Sequence, residues 1–339
     1  MEGHLRRLLT MPLFPFAEYW WFYGAFTLFV LLLLLLDLGV FHRKAHAVSL
    51  KEAGTWSVVW IGLALLFNLF LYYFSLDRFG HNQAREVSLE FLAGYVVEKS
   101  LSVDNIFIFV LVFRYFRVPQ EFQHRILFYG VLGALVFRAI FIALGTWLLQ
   151  FHWILLLFGA FLIVTGLRMM IGTNETVDPE KNPVVKLFRR VFPITDRPEG
   201  AKFFLKREGR WYATPLALVL VFLETSDLIF AIDSVPAIFA LTSEPLIVYT
   251  SNVFAILGLR SLYFVLAGVV ERFHLLHYGL AAVLIFVGLK MVWLDQLFGG
   301  KFPIVWSLAI IGVLIGGTVA LSLLYPKAPE LNGEALEQE

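Results

Sequence analysis

Nine apolar runs of about 20 residues punctuate this chain, at 20–38, 55–76, 87–112, 126–149, 153–171, 213–241, 246–269, 277–297 and 303–325. A run of that length, wound as an α-helix, crosses the roughly 30 Å hydrocarbon layer of a bilayer. Within that layer the backbone must satisfy its own hydrogen bonds, and a single long run does so as a helix. The expected fold is therefore an all-α polytopic membrane protein with about nine transmembrane helices. Composition agrees. Of 339 residues, 59% are hydrophobic and 16% charged, where a soluble domain carries about 25% charged residues, and the mean hydropathy is +0.78. There is no cysteine, so disulfides, zinc–thiolate sites and iron–sulfur clusters are excluded. The stretch MEGHLRRLLTMPLFPFAEYWW lacks a compact apolar core followed by a small-residue cleavage site. It reads as a short tail before a retained first helix, not a removable signal peptide.

Lysine and arginine excess marks the cytoplasmic side of a membrane protein. One alternate set of segments holds Arg43, Lys44, Lys51, Arg114, Arg117, Arg125, nine bases in the long connection 172–212, Arg272 and Lys327. The opposite set holds Arg6, Arg7, Arg78, Arg85 and Lys301. The expected orientation has the N-terminus outside, with the C-terminus and long loop in the cytoplasm. The expected location is the plasma membrane.

Two stretches repeat. EKSLSVDNIFIF (98–109) and DLIFAIDSVPAIF (227–239) each place two acids six residues apart, Glu98 and Asp104 in one, Asp227 and Asp233 in the other. Asn105 follows the first pair and Ser234 the second. The next spans each carry one arginine, Arg138 and Arg260, and the spans after those carry VTGLRMM and FVGLKMV. Arg138 precedes Gly166 by 28 residues, and Arg260 precedes Gly288 by 28. Because spans three and six cross in opposite senses, the triplets 3–5 and 6–8 form an inverted repeat, a recurring secondary-transporter design with its site where the repeats meet. The implied organisation is 1–84, tail and spans one and two; 85–171, first repeat; 172–212, cytoplasmic loop; 213–298, second repeat; and 299–339, last helix and tail.

Glu98, Asp104, Glu224, Asp227 and Asp233 lie about midway along spans three and six. An uncompensated carboxylate at the bilayer centre costs roughly 2.5–3.5 kcal/mol on insertion scales, so these acids should face the bundle interior. Glu224 and Asp227, three apart, share a helix face. Six-residue spacing leaves Asp227 and Asp233 about 120° apart on a regular helix. Pro236 lacks an N–H and frees the carbonyl of Ile232, which makes it a candidate hinge that brings the two acids together. Ser102 and Asn105 offer further oxygens in span three. Carboxylate, amide and hydroxyl oxygens suit Mg²⁺, Ca²⁺ or Mn²⁺ better than copper or zinc. The bland alternative is that the acids form buried salt bridges with Lys99, Arg138 and Arg260, which in either reading can balance their charge. Arg168 and Lys290, near helix ends, are expected to snorkel to the interface. Asp37 is expected to pair with Arg43 or Lys44, Asn68 to make an interhelical hydrogen bond, and His274 and His277 to be ordinary interfacial residues.

PVVKLFRRVF in the long loop interleaves bases and apolar residues, as a short helix on the inner membrane surface does. Acids at Glu175, Asp178, Glu180, Asp196, Glu199 and Glu208 dilute the loop's charge and argue against nucleic-acid binding. No G-x-x-x-x-G-K-[ST] is present, which argues against ATP drive. No G-x-G-D is present, which argues against an intramembrane aspartyl protease.

EKSLSVDNIFIF and ETSDLIFAIDSVPAIFA, with LDLGVFHRK after span one, closely resemble the TerC/Alx family of integral membrane proteins, over about residues 20–325. The family is named for tellurium resistance, and its bacterial members are linked to manganese export and homeostasis. The resemblance implies cation contact at Glu98, Asp104 and Asn105 in the first motif and at Glu224, Asp227, Asp233 and Ser234 in the second. The expected protein is no enzyme. It is a secondary exporter of Mn²⁺ embedded in the lipid bilayer, with no permanently bound cofactor; Ca²⁺ or Mg²⁺ are alternative ions and proton exchange a candidate drive. The rival class is a membrane scaffold or assembly factor without transport, since a plant branch of the family is associated with thylakoid biogenesis. The sequence sets no oligomeric state.

Overall fold

The structure is a computed structural model and describes residues 12–36, 49–149, 151–171, 182–195, 199–207, 209–267 and 269–326. Arg6, Arg7, Asp37, Arg43, Lys44, Lys327 and five of the loop acids (Glu175, Asp178, Glu180, Asp196 and Glu208) lie outside these residues, as does the side chain of Asp104 within its helix.

The chain is nearly all helical. Helices α1 (Phe16–Leu36), α2 (Leu50–Phe79), α3 (His81–Tyr115), α4 (Gln120–Leu148) and α5 (His152–Ile171) precede a small mixed unit. That unit comprises α6 (Pro183–Val191) and an antiparallel hairpin of β1 (Phe204–Arg207) and β2 (Arg210–Ala213). Then come α7 (Pro215–Phe239), α8 (Pro245–Leu257), α9 (Leu259–Leu266), α10 (Leu276–Leu289) and, after short further turns, α11 (Ile304–Leu324). The hairpin was not legible as strands in the sequence. It forms where Gly209, at φ +78°, turns the chain, a conformation open to glycine without a Cβ penalty.

Among the described residues, seven helices are long and apolar enough to cross a membrane, and the α8–α9 pair makes an eighth as one bent span. The third expected span, α3, is 35 residues long. It carries Arg85, Glu86, Glu90, Glu98, Lys99, Asp104 and Arg114 and is too charged to count on hydropathy. The seventh expected span is bent by 41° between α8 and α9. Gly258 sits at that break, and its missing Cβ leaves room for Lys99 Nζ.

Two pairings organise the interior: α4 lies along α7, and α3 lies along α8. A third joins α5 to α10. There the backbones touch: a Cβ on Gly288 would meet the Gly159 carbonyl oxygen at 2.6 Å, and one on Gly166 would meet the Ala281 carbonyl oxygen at 2.7 Å. The contacts run in opposite sequence directions, so the two helices are antiparallel. Phe22, Phe26, Phe67, Phe91 and Phe254 fill the space between α1, α2, α3 and α8.

Lys290 corrects an expectation. It is buried, donates to the Ala240 carbonyl at 2.7 Å and pairs with Asp295 at 3.0 Å. A cation at the C-terminal end of α7 meets unsatisfied carbonyls there, which outweighs snorkelling. Arg168 is exposed. Asn68, expected to make an interhelical hydrogen bond, is buried, and its Oδ1 has no hydrogen-bond partner. His277 Nε2 lies 2.8 Å from the Met169 carbonyl oxygen, while the Nδ1 of His274 is buried without a partner.

Candidate functional site

Midway along α3, α4, α7 and α8, five polar side chains converge where almost no surface is exposed. Arg138 on α4 stands at the centre. Its Nη1 donates to Glu98 Oε1 on α3, to Ser234 Oγ on α7 at 3.1 Å and to Asn252 Oδ1 on α8 at 3.2 Å. Its Nη2 donates to Asp227 Oδ1 on α7 at 3.4 Å. Asn252 Nδ2 in turn donates to Glu98 Oε2 at 3.4 Å. Glu98 and Asn252 are 0% exposed and Asp227 4%. Two carboxylates share one guanidinium, leaving a formal charge of −1, with Asp227 Oδ2 and Arg138 Nε unpartnered.

The local sequence explains the placement. Ser234 is seven residues after Asp227, two helical turns, so both reach the same guanidinium from one face of α7. Glu224, one turn before Asp227, lies against α4 at Gly133, where any Cβ would collide with its carboxylate. Its Oε2 is buried and unpartnered. Arg260 and Asp227 line one narrow cavity of about 10 Å³, about the space of one water.

Asp233 stands apart. It is half-buried, and it accepts a 3.4 Å hydrogen bond from Thr165 Oγ1 on α5. Helix α7 runs unbroken through Pro236 to Phe239, so Asp227 and Asp233 keep their angular separation. The expected convergence of the two acids at a proline break is not present. Pro236 is three residues from the helix end, so few turns remain beyond it to bend. Among the described residues, no three acidic or histidine side chains gather as a metal-binding group.

Two further expectations change. Lys99 does not balance the acids; its Nζ donates to the Ala255 carbonyl at 3.2 Å, near the C-terminal end of α8. Ser102 spends its hydroxyl on the Glu98 carbonyl of its own helix at 2.8 Å. Asn105 is buried in α3. The salt-bridge reading holds for Glu98, Arg138 and Asp227. Asn252 and Thr165 were not singled out in the sequence. Asn252 had a signal, the polar triplet TSN (250–252) inside an apolar span, whereas a lone threonine gives none.

A second buried acid also went unmarked. Glu90 on α3 accepts from Thr242 Oγ1 and pairs with Lys301, which also pairs with Glu86. Beside them Glu244 accepts from the backbone N–H of Leu13 at 2.7 Å and of Phe14 at 3.2 Å. Burial pushes the Glu244 carboxyl up to about 7, opposed by those two N–H groups.

Arg138 thus bridges acids of the two repeated sequence motifs. Residues 83–330 match the integral membrane protein TerC family. The chain belongs to that family. A Myxococcus xanthus protein known as uncharacterized membrane protein STKORF319 is 46% identical over 327 residues, which is 96% of this chain and 99% of the relative. An Escherichia coli K12 protein, described provisionally as the membrane-bound redox modulator Alx, is 47% identical over 296 residues, 86% of this chain and 91% of the relative. A Rickettsia felis membrane protein of uncharacterized role is 43% identical over 260 residues, covering 76% and 84%. No solved structure matches the chain.

Proposed function

We propose that this TerC-family protein is a secondary exporter of Mn²⁺ from the cytoplasm, in which the ion takes the place that Arg138 holds between Glu98 and Asp227. One observation carries this reading. The oxygens that accept from Arg138 are two carboxylates, an amide carbonyl and a hydroxyl, drawn from three helices. That is a hard-donor set, and a hard divalent cation needs such a set. A guanidinium satisfies it when the ion is absent, and a doubly charged ion competes for the same oxygens. Glu224 and the half-buried Asp233 line the route beside this centre, with Asp104 and Asn105 on α3 as the matching elements of the first motif. The same carboxylates can carry protons when the ion leaves, which supplies a proton-exchange drive.

The transporter architecture rests on nine spans, with α3–α5 and α7–α10 as inverted repeats. Gly166 and Gly288 are matched positions 122 residues apart, as are Arg138 and Arg260. The same offset turns Gly159 into Ala281. The Gly288–Gly159 contact therefore maps onto the Gly166–Ala281 contact, and α4 on α7 maps onto α8 on α3. Antiparallel packing of matched helices is what a two-fold axis in the membrane plane produces. The lysine and arginine bias supports a cytoplasmic C-terminus in the bacterial inner membrane.

The redox description of the Alx relatives reaches this chain only indirectly, since it has no cysteine for a thiol couple; control of a redox-active metal is a route that needs none. The test is cellular manganese during Mn²⁺ stress, with the wild-type chain and with Asp233→Asn or Asp104→Asn. Loss of efflux in both variants supports a route past Asp104 and Asp233 to this centre. Normal export by both removes that route.

A further inference from the structure

The unit between α5 and α7 carries apolar side chains that no other described residue covers. Helix α6 has three faces. Val185 and Phe188 pack toward α7 and the neighbouring segments. Val184, Leu187 and Val191, spaced i, i+3, i+7, form an exposed stripe, with Leu187 61% exposed. Lys186, Arg189 and Arg190 occupy the remaining face.

The hairpin adds to this surface. Its alternation puts Phe204, Lys206 and Trp211 on one side, in register across the strands, and Trp211 is 56% exposed. Phe204 touches α6 through Phe188 and Phe192, with ring centroids 6.4 and 5.5 Å apart. The unit is tied to α7 and α4. Thr214, the residue before α7, donates its backbone N–H to the Phe203 carbonyl at 2.9 Å and its hydroxyl to the Lys202 carbonyl at 2.8 Å. Phe203 also packs on Tyr129, in the first half of α4. Both α4 and α7 are long and apolar enough to cross a membrane, so the unit sits beside the end of a candidate span.

We propose that α6 and the exposed hairpin face form a docking surface for anionic phospholipid headgroups on the membrane face where α7 begins. Charge decides the lipid class. From 182 to 214 the sequence has eight lysines and arginines against three acids, and a cationic face flanking an apolar stripe with tryptophan is the pattern of an interfacial helix on an anionic surface. Continuity with two membrane helices favours lipid over a soluble partner.

The chain has no cysteine, so Leu187→Cys gives a unique spin label on the full-length protein. Ile140→Cys on the exposed face of α4 provides a lipid-facing reference. In phosphatidylglycerol nanodiscs the Leu187 label should resemble the reference, open to oxygen and shielded from an aqueous nickel complex. In phosphatidylcholine nanodiscs, or with Lys186, Arg189 and Arg190 all changed to Gln, the shielding should fall several-fold. A label water-accessible in both lipids overturns the proposal. So does shielding that ignores lipid charge and the triple substitution, or shielding that appears only when cytoplasmic extract is added. Retained reference-label behaviour in the triple variant confirms that it folds.

Discussion

Arg138 and Glu98, forty positions apart on neighbouring helices, form an ion pair in which neither side chain exposes more than 2% of its surface. Removing one member of a buried pair strands the other charge, at a cost of roughly 3–5 kcal/mol. Arg138→Leu and Glu98→Gln should each lower thermal stability sharply in detergent. Arg138→Leu should be the worse, since Glu98 and Asp227 both lose their partner. The double variant Glu98→Gln with Arg138→Leu should recover part of the loss; additive effects would show that the pair is not coupled.

Asp233 behaves differently from Asp227 because its polar contact is a 3.4 Å bond from Thr165. Asn can accept that bond, so Asp233→Asn should change stability by under about 1 kcal/mol, while manganese efflux falls severely. Asp227→Asn weakens a buried ion pair and should cost both stability and efflux. Melting curves and efflux assays on the two variants separate a transport role from a structural one.

Backbone contact between α5 and α10 makes Gly166→Ala and Gly288→Ala a matched pair. Each added methyl meets a backbone carbonyl oxygen that cannot rotate away. Overpacking of this kind costs typically 1–3 kcal/mol. Similar losses at both positions are expected from the shared geometry. A neutral Gly288→Ala beside a damaging Gly166→Ala would break the two-fold relation.

Glu244 gives the fold a pH dependence. Burial holds its carboxyl at about 7 in the folded protein, against about 4.3 for an unperturbed glutamate. The folded state therefore binds this proton more tightly than the unfolded state. Glu244's contribution to stability is complete below about pH 4, falls as pH rises towards 7, and is constant above. The total fall is on the order of 4 kcal/mol. Glu244→Gln should flatten the melting temperature between pH 5 and 7. An unchanged slope would show that another group sets it.

The long apolar runs fixed most of the helices, because length and hydropathy suffice when the solvent is lipid. The acid repeats and their arginines were readable for the same reason: charge is rare there and has to be explained. What the sequence left open was pairing. Glu98 has Lys99 beside it in the chain, yet Lys99 turns to the Ala255 carbonyl, and the acid's partner is Arg138 from another helix. Helical phase separates adjacent residues by 100°, so chain proximity was a poor guide. Pro236 looked like a break because proline removes a hydrogen bond, but α7 tolerates that loss near its end. Hairpin β1–β2 hid in a charged loop because four-residue strands give too short an alternation to read.

The most direct test is Mn²⁺ flux into proteoliposomes containing the purified protein, measured for the wild type and for Asp104→Asn and Asp233→Asn under an imposed proton gradient. An exporter of the kind proposed here gives gradient-dependent Mn²⁺ movement in the wild type and at least a tenfold loss in both variants, a change of about 1.4 kcal/mol or more in the barrier. Equal flux in wild type and variants, or none in the wild type beyond protein-free liposomes, would contradict it.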